Sequence, residues 1–306
     1  MSLDRIVMTG AKGHLYAILT FSENVTWETQ NIYTQTELET GTSDWHLATI
    51  SSAFENNVLV SLMGDSGATS SAFGLVQTPG SNEPADGWEW VTGEALTFVS
   101  WGGGEPNNAP VDPTSSEDFG EMYDTGGWND LSELDLHRFA LAELDTSRAI
   151  DLLGTTGNDR LVGGTFGDRL EGASGKDTLS GLAGNDTVLG GGGNDRINGG
   201  AGQDVLSGGS GKDSFVFTIK DAGNSATPDT VQDFEQGVDV IKLGRFDTTF
   251  AFIDSAGFST TLGEVRAAAT DDGNTRIEAD IDGDGLADIT VILTGTFTLT
   301  AADFVL

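Results

Sequence analysis

From Gly154 through Val216 the sequence repeats every nine residues without slippage, as GTTGNDRLV, GGTFGDRLE, GASGKDTLS, GLAGNDTVL, GGGGNDRIN, GGAGQDVLS and GGSGKDSFV. The sixth position is always aspartate: Asp159, Asp168, Asp177, Asp186, Asp195, Asp204 and Asp213. The eighth is always apolar: Leu161, Leu170, Leu179, Val188, Ile197, Leu206 and Phe215. One apolar residue in nine cannot sustain a helix face, but it can line the inner side of a short strand. The glycine-rich half of each unit can turn sharply at positive φ. A flexible linker has no reason to hold aspartate and an apolar residue in register seven times.

This nonapeptide is similar to the calcium-binding repeat of RTX proteins. A Gly-Asp loop offers backbone and carboxylate oxygens, the ligands calcium takes at about 2.3–2.6 Å. The resemblance implies a parallel β-roll in which two units make one coil turn and unit n stacks on unit n+2. A calcium then sits between stacked loops, and the pairs 1–3, 3–5, 5–7, 2–4 and 4–6 allow up to five. Unit 2 departs from the pattern, with Phe166 where the other units have Gly. In the RTX family such repeats stay unfolded without calcium and fold with it. Carboxylate repulsion accounts for the first state, and metal binding supplies the missing folding energy for the second.

Composition points to the same ion. The chain has 48 Asp+Glu against 14 Lys+Arg, three His and no Cys, for a formal net charge of −34. Such a chain repels itself unless cations belong to the structure. The oxygen-rich, sulfur-free set favours a hard cation, calcium before zinc. Phosphate neutralisation needs clustered basic residues, so nucleic-acid binding is disfavoured. No window approaches the 18 or more apolar residues of a membrane span, which argues against membrane insertion. A phosphate-binding loop also fails, because Asp follows Lys176 and Lys212 where Ser or Thr is required.

The six Trp and three Tyr all lie at or before Trp128, whereas 19 of the 43 Gly fall between residues 154 and 216. The reading is therefore multidomain: a globular domain with an aromatic core over 1–148, the all-β roll implied by the repeats over 149–217 and a β-rich cap over 218–306. The cap region resembles the C-terminal part of serralysin-type secreted proteins. The matching stretches are Asp229-Thr-Val-Gln-Asp-Phe-Glu-Gln-Gly-Val-Asp-Val-Ile-Lys-Leu243 and Leu299-Thr-Ala-Ala-Asp-Phe-Val-Leu306. That resemblance implies an uncleaved signal at Asp303-Phe304-Val305-Leu306 read by a type I secretion channel. Met1-Ser-Leu-Asp-Arg carries no apolar signal-peptide core, in keeping with one-step export. The segment also has a plain structural use, since solenoids need capped ends. Within it, Asp280, Asp282, Asp284 and Asp288 alternate around a Gly turn, either as a further calcium loop or as an acidic hairpin turn.

Residues 13–145 carry Trp88-Glu-Trp90-Val-Thr-Gly93-Glu, Phe98-Val-Ser-Trp101, Gly104-Glu105-Pro106-Asn107 and Trp128-Asn129-Asp130. Glu105-Pro106-Asn107 and Asn129-Asp130 supply carboxylate and amide oxygens from two loops, a set that suits a hard cation. In this order the segments resemble a C-type lectin domain, which implies an α+β fold for residues 1–148. Gly13-His14-Leu-Tyr16, Thr26-Trp27-Glu28 and Leu47-Ala48-Thr49-Ile50 match its opening strand and two helices more weakly. The family's proline is cis, an option essentially confined to X–Pro bonds. The resemblance implies that Glu105, Asn107, Glu117, Asn129 and Asp130 ligate one calcium, and that two vicinal sugar hydroxyls complete its shell. The same side chains then hydrogen-bond the hydroxyls. Glu-Pro-Asn in the family goes with mannose-, fucose- or glucose-type sugars.

Two departures stand out. The family's disulfides are absent, Phe119 standing at one cysteine position, so packing around the tryptophans must hold the core. The stretch Asn108–Ser116, with Pro110 and Pro113, is long. His14, His46 and His137 are too scattered for a zinc site. An enzyme is not expected: Gly64-Asp-Ser66-Gly-Ala68 and Gly208-Gly-Ser210-Gly-Lys212 fail the nucleophile-elbow pattern at its last position, and no His-Glu-x-x-His occurs. The expected function is secreted calcium-dependent carbohydrate binding. The alternative is a lectin-fold adhesin or surface-layer component that binds protein or ice, because fold does not fix function.

Overall fold

The computed structural model describes residues 3–11, 14–36, 45–78, 87–107, 117–132, 135–145, 149–218, 227–244 and 250–305. The chain divides into two units, Met1–Ser147 and Arg148–Leu306.

In the first unit, strands β1 (Leu3–Ala11) and β2 (His14–Thr26) lead into helix α1 (Trp27–Thr36), strand β3 (Trp45–Leu47) and helix α2 (Ala53–Ser66). Strands β4 (Ser70–Gln77), β5 (Trp88–Trp90), β6 (Phe119–Tyr123), β7 (Trp128–Leu131) and β8 (Leu136–Asp145) follow. The sheet runs β1-β2-β8-β4-β6-β7, with β3 on β8 and β5 on β4. Residues 47–50, matched to the second helix in the sequence, instead complete β3 and lead into that helix. Ser52 caps it, its hydroxyl accepting from the Glu55 N–H, a device worth about 0.5–2 kcal/mol. Leu59, Leu62 and Met63 on this helix join Tyr16, Ile18, Phe73, Trp90, Trp128 and Leu141 in the core. Phe73 lies 5.9 Å from Trp90 and 5.1 Å from Trp128, and the two indoles meet edge-on at 5.9 Å. Such tilted and edge-on pairs add to area burial and hold this unit without disulfides.

In the second unit each nonapeptide contributes one strand, after β9 (Asp151–Leu153). These are β10 (Arg160–Val162), β11 (Arg169–Glu171), β12 (Thr178–Ala183), β13 (Thr187–Gly192), β14 (Arg196–Ala201), β15 (Val205–Ser210) and β16 (Ser214–Phe217). Successive strands alternate between two parallel sheets, so the eighth position of one unit meets that of the next but one. Leu161 pairs with Leu179, Leu179 with Ile197 and Ile197 with Phe215; on the other sheet Leu170 pairs with Val188 and Val188 with Leu206. All seven are buried, each contributing roughly 1.5–3 kcal/mol.

The parallel ladders continue past the last nonapeptide. Strands β17 (Asp229–Val231) and β18 (Val240–Leu243) add to β15 and β16. Asp229-Thr-Val231 and Asp239-Val-Ile241 keep an aspartate two residues before an inward apolar side chain, which is all the ladder needs. Strands β19 (Ala251–Phe252), β20 (Glu264–Ala269), β21 (Thr275–Asp280) and β22 (Ile289–Leu293) then complete a nine-stranded sheet. In it β20, β21 and β22 pair antiparallel, while β22 lies parallel to β17. Finally β23 (Phe304–Val305) lies parallel to β18, with Phe304 opposite Ile241.

Candidate metal and ligand sites

In the first unit the site is built on the β6–β7 hairpin. Asn56 of α2 anchors it, accepting from the buried Trp128 indole at 2.8 Å and donating to the Gly126 carbonyl at 3.0 Å. Trp128 bridges to Trp101, and the Gly102 N–H bonds to the Trp128 carbonyl, which brings the loop through Asn107 alongside. The Glu105–Pro106 peptide is cis. The Asn107 backbone N–H donates to both Asp130 carboxylate oxygens, at 3.2 and 3.0 Å, and its side-chain amide donates to Glu105. Three of the five expected ligands are thereby joined by direct contacts. Burial, and then the Asp130 carboxylate, push the Glu105 carboxyl above its ordinary range. Two carboxylates this close, one of them fully buried, form a donor set that fits a divalent cation.

The other two expected ligands, Glu117 and Asn129, line a cavity of about 250 Å³ with Glu121, Leu131, Asp135, Leu136 and His137. The Asn129 amide donates to the Asp130 carbonyl at 2.6 Å and reaches Glu121 at 3.5 Å. His137 Nδ1 lies 3.3 Å from Glu121. Burial first, and then the charges of Glu121, Glu105 and Glu117, push the Tyr123 hydroxyl up to about 12. Glu121 escaped the sequence reading, because a glutamate in a short strand looks like any solvent-facing polar residue. The stretch 108–116 lies outside the described residues. Trp90 and Trp128 are buried in the core, and Trp88 and Trp101 pack against it half-buried.

In the roll every repeat aspartate is buried. From Asp168 onward one carboxylate oxygen of each accepts a backbone N–H from the turn before; in the first column Asp159 donates to Asp177, Asp177 to Asp195 and Asp195 to Asp213, each at 2.8 Å. Asp168, Asp186 and Asp204 form the second such column, Asp168 donating at 2.7 Å and Asp186 at 2.8 Å. The columns run on to Asp229 and Asp239, each accepting at 2.9 Å. In Asp177, Asp186, Asp195 and Asp213 the other oxygen, Oδ2, is buried without a hydrogen-bond partner. Buried polar atoms are nearly always satisfied, so anionic oxygens left open inside glycine loops fit a bound cation.

Burial first, and then neighbouring aspartates, push Asp177 and Asp186 up to about 7 and Asp213 up to about 6. The loops stack too closely for side chains. A Cβ on Gly172 would lie 2.5 Å from Asp177 Oδ2 and 2.6 Å from the Gly190 carbonyl oxygen. Gly193 takes φ +136° directly against the Gly175 carbonyl. Phe166 does not interrupt this stack: its carbonyl oxygen faces Gly184 as that of Gly175 faces Gly193, while its side chain is exposed.

Of the acidic turn after β21, Asp280, Asp282 and Asp288 hold carboxylate oxygens within 4.8 Å of one another, and Asp284 stands outside that group. Asp280 accepts from the N–H groups of Gly283 at 2.7 Å and Gly285 at 2.8 Å, Asp288 from Ile281 at 2.7 Å, and Asp284 from Leu286 at 2.8 Å. These bonds build the turn.

Over 45% of its length the chain is similar to the C-type lectin CEL-I from Cucumaria echinata, at 24% identity, 94% coverage of that chain and a TM-score of 0.37. The human scavenger receptor C-type lectin carbohydrate-recognition domain gives 22% identity, 45% and 95% coverage and a TM-score of 0.37. Human lithostathine gives 20%, 44% and 86%, and 0.36. No curated protein matches the chain in sequence. The Peptidase M10 serralysin C terminal family matches residues 123–306, and because this is more than half of its length, the chain belongs to that family.

Proposed function

We propose that this chain is a secreted, calcium-dependent carbohydrate-binding module, a lectin or adhesin head borne on a roll that folds around calcium after export through a type I channel. The carrying observation is the convergence of Glu105, Asn107 and Asp130, joined through the Asn107 backbone and side-chain amides. With Glu117 and Asn129 these residues would hold one calcium, which supplies a Lewis-acidic contact for vicinal sugar hydroxyls. The carboxylates accept hydrogen bonds from those hydroxyls and the asparagine amide donates to them. The sugars that fit the Glu-Pro-Asn pattern are of mannose, fucose or glucose type. In the roll, the open Oδ2 oxygens support a cation column whose binding supplies folding energy. Among the described residues no helix is long and apolar enough to cross a membrane.

The test is a glycan array run with calcium and repeated in EDTA. Mannose-type binding seen only in calcium is the expected result. Glu105→Gln combined with Asn107→Asp should weaken it while near-UV circular dichroism stays unchanged; undiminished mannose binding would refute the site. Protein or ice binding with no glycan signal would favour the protein- or ice-binding alternative. A single sugar site should bind at roughly 0.1–10 mM, about 3–5 kcal/mol, so useful adhesion needs several copies on one surface.

A further inference from the structure

The seven repeat aspartates are identical in sequence register but differ in what their second carboxylate oxygen meets. In the third, fourth, fifth and seventh repeats Oδ2 is buried and open. In the first repeat, Asp159 Oδ2 accepts the Thr155 N–H at 2.6 Å and the Thr155 hydroxyl at 3.0 Å. In the second, Asp168 Oδ2 accepts the Gly164 N–H at 2.6 Å. At the far end, where Asp239 continues the ladder, its Oδ2 accepts the Glu235 N–H at 2.8 Å. The donor lies four residues upstream in all three cases.

A change in backbone conformation accompanies the difference. The second residue of each unit is left-handed from the third repeat onward: Ala173 at φ 71°, Leu182 at 75°, Gly191 at 103°, Gly200 at 103° and Gly209 at 84°. Two of these carry side chains, which rarely adopt such angles, and strain of this kind persists where the surroundings over-determine it. Thr155 and Gly164 occupy the same position in the first two repeats with φ outside that region. Their N–H groups turn onto the aspartate instead.

We propose that the ion column of the roll begins at the third repeat, and that each end of the coil is closed without metal, a backbone N–H taking the place of the cation on Asp159, Asp168 and Asp239. A backbone N–H and a cation are alternative ways to compensate a buried carboxylate oxygen. An ion between loops needs a glycine loop on both sides. Ahead of Asp168 stands Ile150, which donates its N–H at 2.9 Å, in a stretch that carries no glycine between Thr146 and Leu153. The inference rests on the roll being a calcium binder, and it narrows the expected seven aspartate ligands by two.

Native mass spectrometry of the full chain refolded in calcium counts the bound ions. Asp186→Asn and Asp195→Asn should each lose one ion relative to the wild type. Asp159→Asn and Asp168→Asn should keep the wild-type count, since an asparagine oxygen can still accept the upstream N–H. Loss of an ion in either of the last two variants overturns the proposal. Should a variant fail to fold, wild-type crystals soaked in terbium decide the matter through anomalous peaks. Peaks beside Asp177, Asp186, Asp195 and Asp213, with none beside Asp159, Asp168 or Asp239, support it; a peak beside any of those three overturns it. A wild-type chain that takes up no ion in the roll overturns both this proposal and the calcium reading beneath it.

Discussion

In the first unit Trp90, Trp128 and Phe73 meet within 6 Å of one another, and buried polar groups such as Asn56 and Glu143 have protein partners. In the second unit the repeat strands from β11 to β15 each bury one apolar side chain, with Val162, Val216 and Phe217 added at the two ends, and each coil turn brings two more buried carboxylates. The first arrangement rests on an apolar core that excludes water, with uncharged polar atoms such as Ser71 Oγ as its buried orphans. The second leaves anionic oxygens open. An uncompensated buried charge costs several kcal/mol, and the apolar column returns only about 1.5–3 kcal/mol per repeat. Stability in one unit is a matter of packing, and in the other of counter-charge.

The sharpest way to break that contrast is to remove the ions. In EDTA the region 154–216 should lose its structure while the first unit keeps its own. Hydrogen exchange would report the first change, and the fluorescence of the tryptophans, all six in the first unit, would stay constant. Equal protection of the roll with and without calcium would end the distinction.

A smaller effect runs the other way. Trp128→Ala removes a fully buried indole and should destabilise the first unit by about 3–5 kcal/mol. The calcium-loaded roll should then melt as before. Parallel loss of both transitions in calorimetry would mean that the units do not fold independently.

The smallest effect is that of pH, and here the two states of the roll should diverge. Without ions the folded carboxyls of Asp177 and Asp186 sit at about 7 and that of Asp213 at about 6, above the usual value near 3.8. A raised folded value means that the folded state binds protons more tightly. The contribution is complete below the unfolded value and is lost as pH rises through about 6–7. In EDTA the roll should therefore gain order as pH falls from 8 to 5. In calcium it should lose order over acid pH, as protons displace the ion. Circular dichroism with the same slope in both conditions would contradict this.

Much of the second unit could be read directly, because a nine-residue period with two constrained positions leaves few ways to stack. What could not be read is where the stacking stops. Asp229 and Asp239 break the nine-residue spacing, yet they continue the ladder, since the ladder senses only an aspartate two residues before an inward side chain. In the first unit the local pattern disclosed Glu105, Asn107 and Asp130, of which Asn107 and Asp130 meet across a sequence separation of 23. Glu121 and His137 were invisible to it. Their partnership depends on β6 and β8 being brought together by the sheet, and nothing in either segment announces the other.

The period, the inward column and the oxygen-rich chemistry are written in the order of the residues, because each follows from residue identity at fixed spacing. Which of the identical aspartates are left open and which are closed by an N–H emerges only once the coil is stacked. That choice depends on whether a glycine loop lies on both sides, and a residue's neighbours one coil turn away are not written in its own repeat.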